Sequence, residues 1–113
     1  MVRLDIEQAV LHVDNNTVEL TPMQCRGLRA LCSRPGRWVR HSTLATVLWG
    51  DRESPYMHQI CDLMHRLRAR MVAAGVARDR ARRMVQCRRG IGYRISASED
   101  VRIWPCSLDS VVV

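Results

Sequence analysis

The chain has no lysine and no phenylalanine, and its 113 residues include only three tryptophans and two tyrosines. All 18 basic residues are therefore arginines. The arginine fork suits guanine edges and phosphates, but so uniform a preference first reflects a GC-rich coding sequence. No apolar run approaches the roughly 20 residues that cross a bilayer. No leader is expected either, since Met1-Val2-Arg3-Leu4-Asp5 runs straight into a strand-like pattern. The five cysteines (25, 32, 61, 87, 106) are odd in number and show no CxxC spacing. Reduced thiols in a cytoplasmic protein without membrane contact are the expectation. Paired carboxylates, a glycine-rich phosphate loop and a nucleophile arrangement are also missing, so neither an enzyme nor a cofactor is expected. The length fits one domain with a modest core.

What is present centres on Met57 to Met71. Ile60, Met64, Leu67 and Met71 recur at spacings of four, three and four, one apolar stripe of an amphipathic helix. The other side carries His58, Gln59, Asp62, His65, Arg66 and Ala69. Donors, an acceptor and a small residue are what a helix needs to read base edges. Charge points the same way. Residues 1–65 hold seven Arg and seven acids, residues 66–94 hold ten Arg against Asp79 alone, and the remainder holds one Arg and three acids. The net +7 thus comes from this helix, the arginine-rich loop after it and the basic hairpin Val85–Arg94, the footprint of a nucleic-acid face. An isolated Arg-Asp-Arg-Ala-Arg-Arg would be a solvated charge run.

Taken in order, residues 3–20 alternate loosely around the turn cluster Asp14-Asn15-Asn16, predicting two or three antiparallel strands. Thr21-Pro22-Met23-Gln24 starts a helix over about 22–33, with a capping box and proline in the first turn. Gly27 inside it costs about 1 kcal/mol relative to Ala and predicts a close helix crossing. Trp38-Val39 suits a short strand. Further helices are predicted over 41–49 and 57–74, then a hairpin over 84–96 turning at Arg89-Gly90-Ile91-Gly92. The fold class expected is α+β, with an N-terminal antiparallel sheet, a three-helix core and a C-terminal hairpin. The domain spans 1–98, leaving 99–113 as a tail.

Leu20-Thr21-Pro22, Pro35-Gly36, Trp49-Gly50, His65-Arg66-Leu67-Arg68 and Arg89-Gly90-Ile91-Gly92-Tyr93-Arg94, in this order, resemble the winged helix-turn-helix of OmpR/PhoB-type effector domains. The resemblance runs from about Leu4 to Ser96. It implies a regulator of transcription that binds double-stranded DNA. Arg66 would contact bases in the major groove, with Asp62 one turn earlier, while His58, His65 and Arg68 lie near phosphates. Arg89, next to Arg88, would enter the minor groove, with Tyr93 packing or touching backbone nearby. The loop containing Asp51, Arg52, Glu53 and Ser54 would correspond to a contact with RNA polymerase, and two copies would bind head to tail as a homodimer. Three residues depart from the family pattern: Arg40 in place of a Ser or Thr helix cap, Cys25 in place of an aromatic, and Asp62 in place of a small apolar reader. No receiver domain is expected beside these strings; if they make up the whole protein, activity would follow concentration or a partner, the alternative being an excised domain.

His58, Cys61 and His65 share a helical side at spacings of three and four and can hold Zn²⁺ with a distant fourth ligand. The preferred reading gives them no metal: Cys61 faces the helix–sheet junction and both histidines approach phosphates. Two functional alternatives stay open. One is a nucleoid-type binder of low specificity, driven by the charge block. The other is an interaction module or antagonist docking on RNA polymerase or another regulator.

Overall fold

Alternation of apolar and polar residues produces β1 (Val2–Asp5), β2 (Val10–Val13) and β3 (Asn16–Glu19), paired antiparallel in sequence order. Val2, Leu4, Leu11, Val13 and Val18 enter the core, while Arg3, Thr17 and Glu19 face solvent, the period of two that a half-covered sheet requires. The computed structural model describes residues 1–50 and 57–104.

In α1 (Pro22–Cys32), the Thr21 hydroxyl accepts from the Gln24 amide at 3.2 Å, and Gln24 Oε1 accepts from the Thr21 amide at 3.0 Å. The capping box is therefore complete. Then come β4 (Val39–Arg40) and α2 (His41–Trp49). Arg40 at the N-cap of α2 makes no side-chain capping bond, as its departure from the family pattern implies. Leu44 and Leu48 of α2 and Ile60, Met64, Leu67 and Met71 of α3 (Met57–Ala73) join Leu28 and Leu31 of α1 in one core. Gly27 lies buried in this seam, but a Cβ there would stand 3.6 Å from Leu63 Cδ2 and from Met64 Cε. That is ordinary contact, so the expected close crossing does not depend on glycine.

Two other expectations are corrected. The arginine-rich stretch is not a loop: Arg78–Met84 forms a fourth helix, α4, burying Ala81 and Met84. Asp79 in its first turn and Arg82 and Arg83 in its last suit the helix dipole. The described core thus has four helices rather than three. Nor does the domain end at 98. Beyond the hairpin β5 (Val85–Arg88) and β6 (Gly92–Ile95) comes β7 (Val101–Trp104), which pairs parallel to β1 as an outer strand of a four-stranded sheet ordered β3-β2-β1-β7. Val101 and Ile103 pack on the core. Arg80 ties this strand in, reaching Glu99 at 3.1 Å and Asp14 at 3.2 Å.

The second sheet, ordered β4-β6-β5, is antiparallel. Its tight spot is Gly92, where any Cβ would run into the Val39 carbonyl oxygen. At the hairpin turn the Ile91 amide donates to the Arg88 carbonyl at 3.0 Å, and Gly90 has φ 80°, a conformation glycine adopts without strain.

Candidate nucleic-acid interface

The buried stripe of α3 fixes which side of the helix is free. His58, Asp62, His65 and Ala69 fall opposite Ile60, Met64 and Leu67, with Gln59 and Arg66 beside them, and all six are exposed. Arg66 Nε pairs with Asp62 at 3.2 Å across one turn, and both side chains are more than half exposed. So exposed a pair contributes little to stability.

The hairpin is fastened to the flank of α3 by two sets of contacts. Arg68 donates from Nε and Nη2 to the Val85 carbonyl, at 3.1 and 2.7 Å. Tyr93, opposite Cys87 in the β5–β6 register, is only 3% exposed. Its hydroxyl interacts with the thiols of Cys61 on α3 and Cys87 on β5. Burial, and then those two contacts, push the Tyr93 pKa above its ordinary value. The ring also meets His41 edge-on at 5.7 Å. Tyr93, expected to pack or touch backbone beside the wing arginine, is a buried brace. Arg68, expected near phosphates, is half-buried and donates to the protein's own backbone.

Arg88 and Arg89, at the end of β5 and in the turn, are exposed. Arg88 lies over the Trp38 ring at 5.9 Å. Arg94 stacks on the same ring at 4.4 Å and also binds Gln86 at 2.7 Å and the Gly36 carbonyl at 3.2 Å. Asp51, Arg52, Glu53 and Ser54, expected to form a polymerase contact, lie outside the described residues. Among the described residues no group of three histidine, cysteine or acidic side chains converges on a metal-sized site, so His58, Cys61 and His65 are not brought together.

Sequence reasoning missed Arg78, Arg82 and Arg83 as members of a helix; all three are exposed on α4. The available signal was the pair Ala81 and Met84, three residues apart in a stretch otherwise crowded with arginine.

The sequence pattern of the family described as "Transcriptional regulatory protein, C terminal" matches residues 15–95. The fold is similar to the DNA-binding domain of CpxR from E. coli, with 24% identity and a TM-score of 0.69 over 85% of this chain and 90% of that one. It is also similar to the DNA-binding domain of the response regulator AdeR, solved in complex with an intercistronic region, at 15% identity and TM-score 0.67 over 84% and 93%. The DNA-binding domain of Bacillus subtilis CssR gives 21% identity and TM-score 0.66 over 84% and 99%. No curated protein sequence matches the chain. Among the described residues no helix is long and apolar enough to cross a membrane. With its helix–hairpin arrangement and the family match over most of its length, the chain belongs to the OmpR/PhoB-type DNA-binding domains of transcription regulators, which are not a class of enzymes.

Proposed function

We propose that this domain reads double-stranded DNA by sequence, with residues 58–69 of α3 in the major groove and Arg89 of the hairpin in the adjacent minor groove. Arg66 reads a base edge, Asp62 steers it or accepts from cytosine, and His58, His65 and Arg88 set the register on phosphates. Two copies would bind a repeated site head to tail. The observation that carries the reading is the outward polar face of α3, braced beside the hairpin through Tyr93 and Arg68. A surface assembled from two elements can meet two grooves only if their spacing is held.

The low-specificity alternative draws its strength from the ten arginines of residues 66–94. Five of these, Arg66, Arg68, Arg70, Arg80 and Arg94, donate to acceptors within the protein, which weakens a reading based on charge alone. The deciding experiment is site selection from random duplexes. Arg66→Ala should relax preference at one base position and cost about 1–3 kcal/mol on the selected site. Equal affinity of the parent protein for selected and random duplex would favour the low-specificity reading.

A further inference from the structure

A groove of about 500 Å³ runs between α3 and α4. Its lining includes the small side chains of Ala69, Ala73 and Ala81 together with His65, Arg78 and Arg82. We propose that this groove seats the phosphodiester backbone beside the base pairs that α3 reads, making α4 a second phosphate-binding element. The inference rests on the major-groove reading above and extends it to a part of the fold that reading did not use.

Three observations favour a nucleic-acid backbone as the occupant. First, the groove is continuous with the proposed reading face, because His65 and Ala69 belong to both. Second, Arg78 and Arg82 lie four residues apart on α4 and therefore on one side of it. Both are exposed, and among the described residues neither forms an ion pair. Arg80 between them is turned the other way, into Glu99 and Asp14. The helix thus sorts its guanidiniums into an anchoring side and an open side. Third, three of the lining residues are alanines, whose short side chains leave room for a bulky sugar–phosphate chain to come close while the arginine forks reach its oxygens.

The test uses the whole chain and salt titrations of duplex binding. Replacing both arginines (Arg78→Ala with Arg82→Ala) should reduce the slope of log K against log salt by about 1.8, at roughly 0.9 per phosphate contact. Between 50 and 200 mM salt the parent's affinity should then fall about 12-fold more than the variant's. The loss should be equal on the selected site and on random duplex, with base preference unchanged. Alanine favours helix, so α4 should persist, and the lysine pair Arg78→Lys with Arg82→Lys should restore the slope. Neutral methylphosphonates placed just outside the core site should weaken the parent and leave the alanine pair unaffected. A parental slope in the alanine pair would overturn the proposal. So would an effect confined to binding of a glutamate-rich peptide, which would make the groove a protein-docking site. Arg66→Ala run in parallel separates the two ideas. If it relaxes preference while the α4 pair changes nothing, only the clamp falls; if the reverse holds, the phosphate contacts of α4 stand and Arg66 loses its reading role.

Discussion

The outward face of α3 and the seam where α3 and α4 meet the two sheets draw on the same residue type for different ends. In the seam, Arg68 reaches the Val85 carbonyl, Arg70 the Glu19 carbonyl at 2.9 Å, and Arg80 the carboxylates of Glu99 and Asp14. On the outward side Arg66, among the described residues, holds only Asp62, and Arg82 and Arg89 are exposed. A guanidinium with several fixed donors can satisfy backbone carbonyls at strand ends, which otherwise carry a desolvation cost. Net charge therefore overstates a nucleic-acid footprint wherever arginine also does the work of a cap or staple. The separation of these two regions can be tested.

The largest effect should come from the hairpin's support. Gly92→Ala places a methyl against the Val39 carbonyl, and backbone cannot yield as a side-chain tip can. A loss of about 3 kcal/mol is expected, measured by urea denaturation, with the β4–β6 pairing opened and duplex affinity falling alongside. A variant as stable as the parent would mean that β4 does not pin the hairpin.

Next comes a double dissociation between arginines. Arg80→Ala strips Glu99, whose side chain is 14% exposed, of its partner and frees β7 from the β2–β3 turn. It should cost about 2 kcal/mol of stability while leaving base preference intact. Arg66→Ala should do the reverse, changing stability by less than about 0.5 kcal/mol while altering base preference. Calorimetry and site selection on both variants check this. If Arg80→Ala alters preference as Arg66→Ala does, the two regions are not separable.

The same division explains what could be read from sequence. The capping box at Thr21, the stripe on α3 and the glycine turn of the hairpin are local patterns, visible within one or two turns of chain. The four helices and two sheets of the described residues were not all local in that sense. β7 exists because Val101–Trp104 finds β1 at the other end of the chain, and nothing in Val-Arg-Ile-Trp announces a parallel partner. α4 hides because only Ala81 and Met84 are buried among its seven residues, too few to make a period. For the site, helical phase identified the outward residues of α3 correctly as exposed. It could not say that Arg68 turns to Val85 or that Tyr93 is enclosed by Cys61, Cys87 and His41, because those directions are set by neighbouring elements.

A milder effect should appear only in alkali, and it concerns the seam. Burial pushes the Cys32 thiol from 9.0 up to about 12, and burial with the two thiol contacts raises Tyr93 from 10.0. Both groups keep protons in the folded chain that the unfolded chain releases. The contribution of these two groups is therefore fully present below pH 9 and is lost as pH rises, first through Cys32 and above pH 10 also through Tyr93. Tyr93→Phe should remove the part of the decline that begins near pH 10. Denaturation curves at stepped pH measure it, and an unchanged decline would place Tyr93 in contact with water.

The smallest change tests whether the seam is merely filled or tightly strained. A methyl at Gly27 would lie 3.6 Å from Leu63 and Met64 and 3.9 Å from Leu48 Cδ2. None of these contacts is short, so Gly27→Ala should keep the packing and gain helix propensity, stabilising the protein by about 1 kcal/mol. Duplex affinity should not move, because α1 presents nothing to the outward face of α3. Thermal melts of parent and variant decide the first point and a binding titration the second. A destabilised variant would mean that α1 and α3 sit closer in solution than these distances allow. A stabilised variant with altered affinity would mean that the packing behind α3 sets the pose of its outward face.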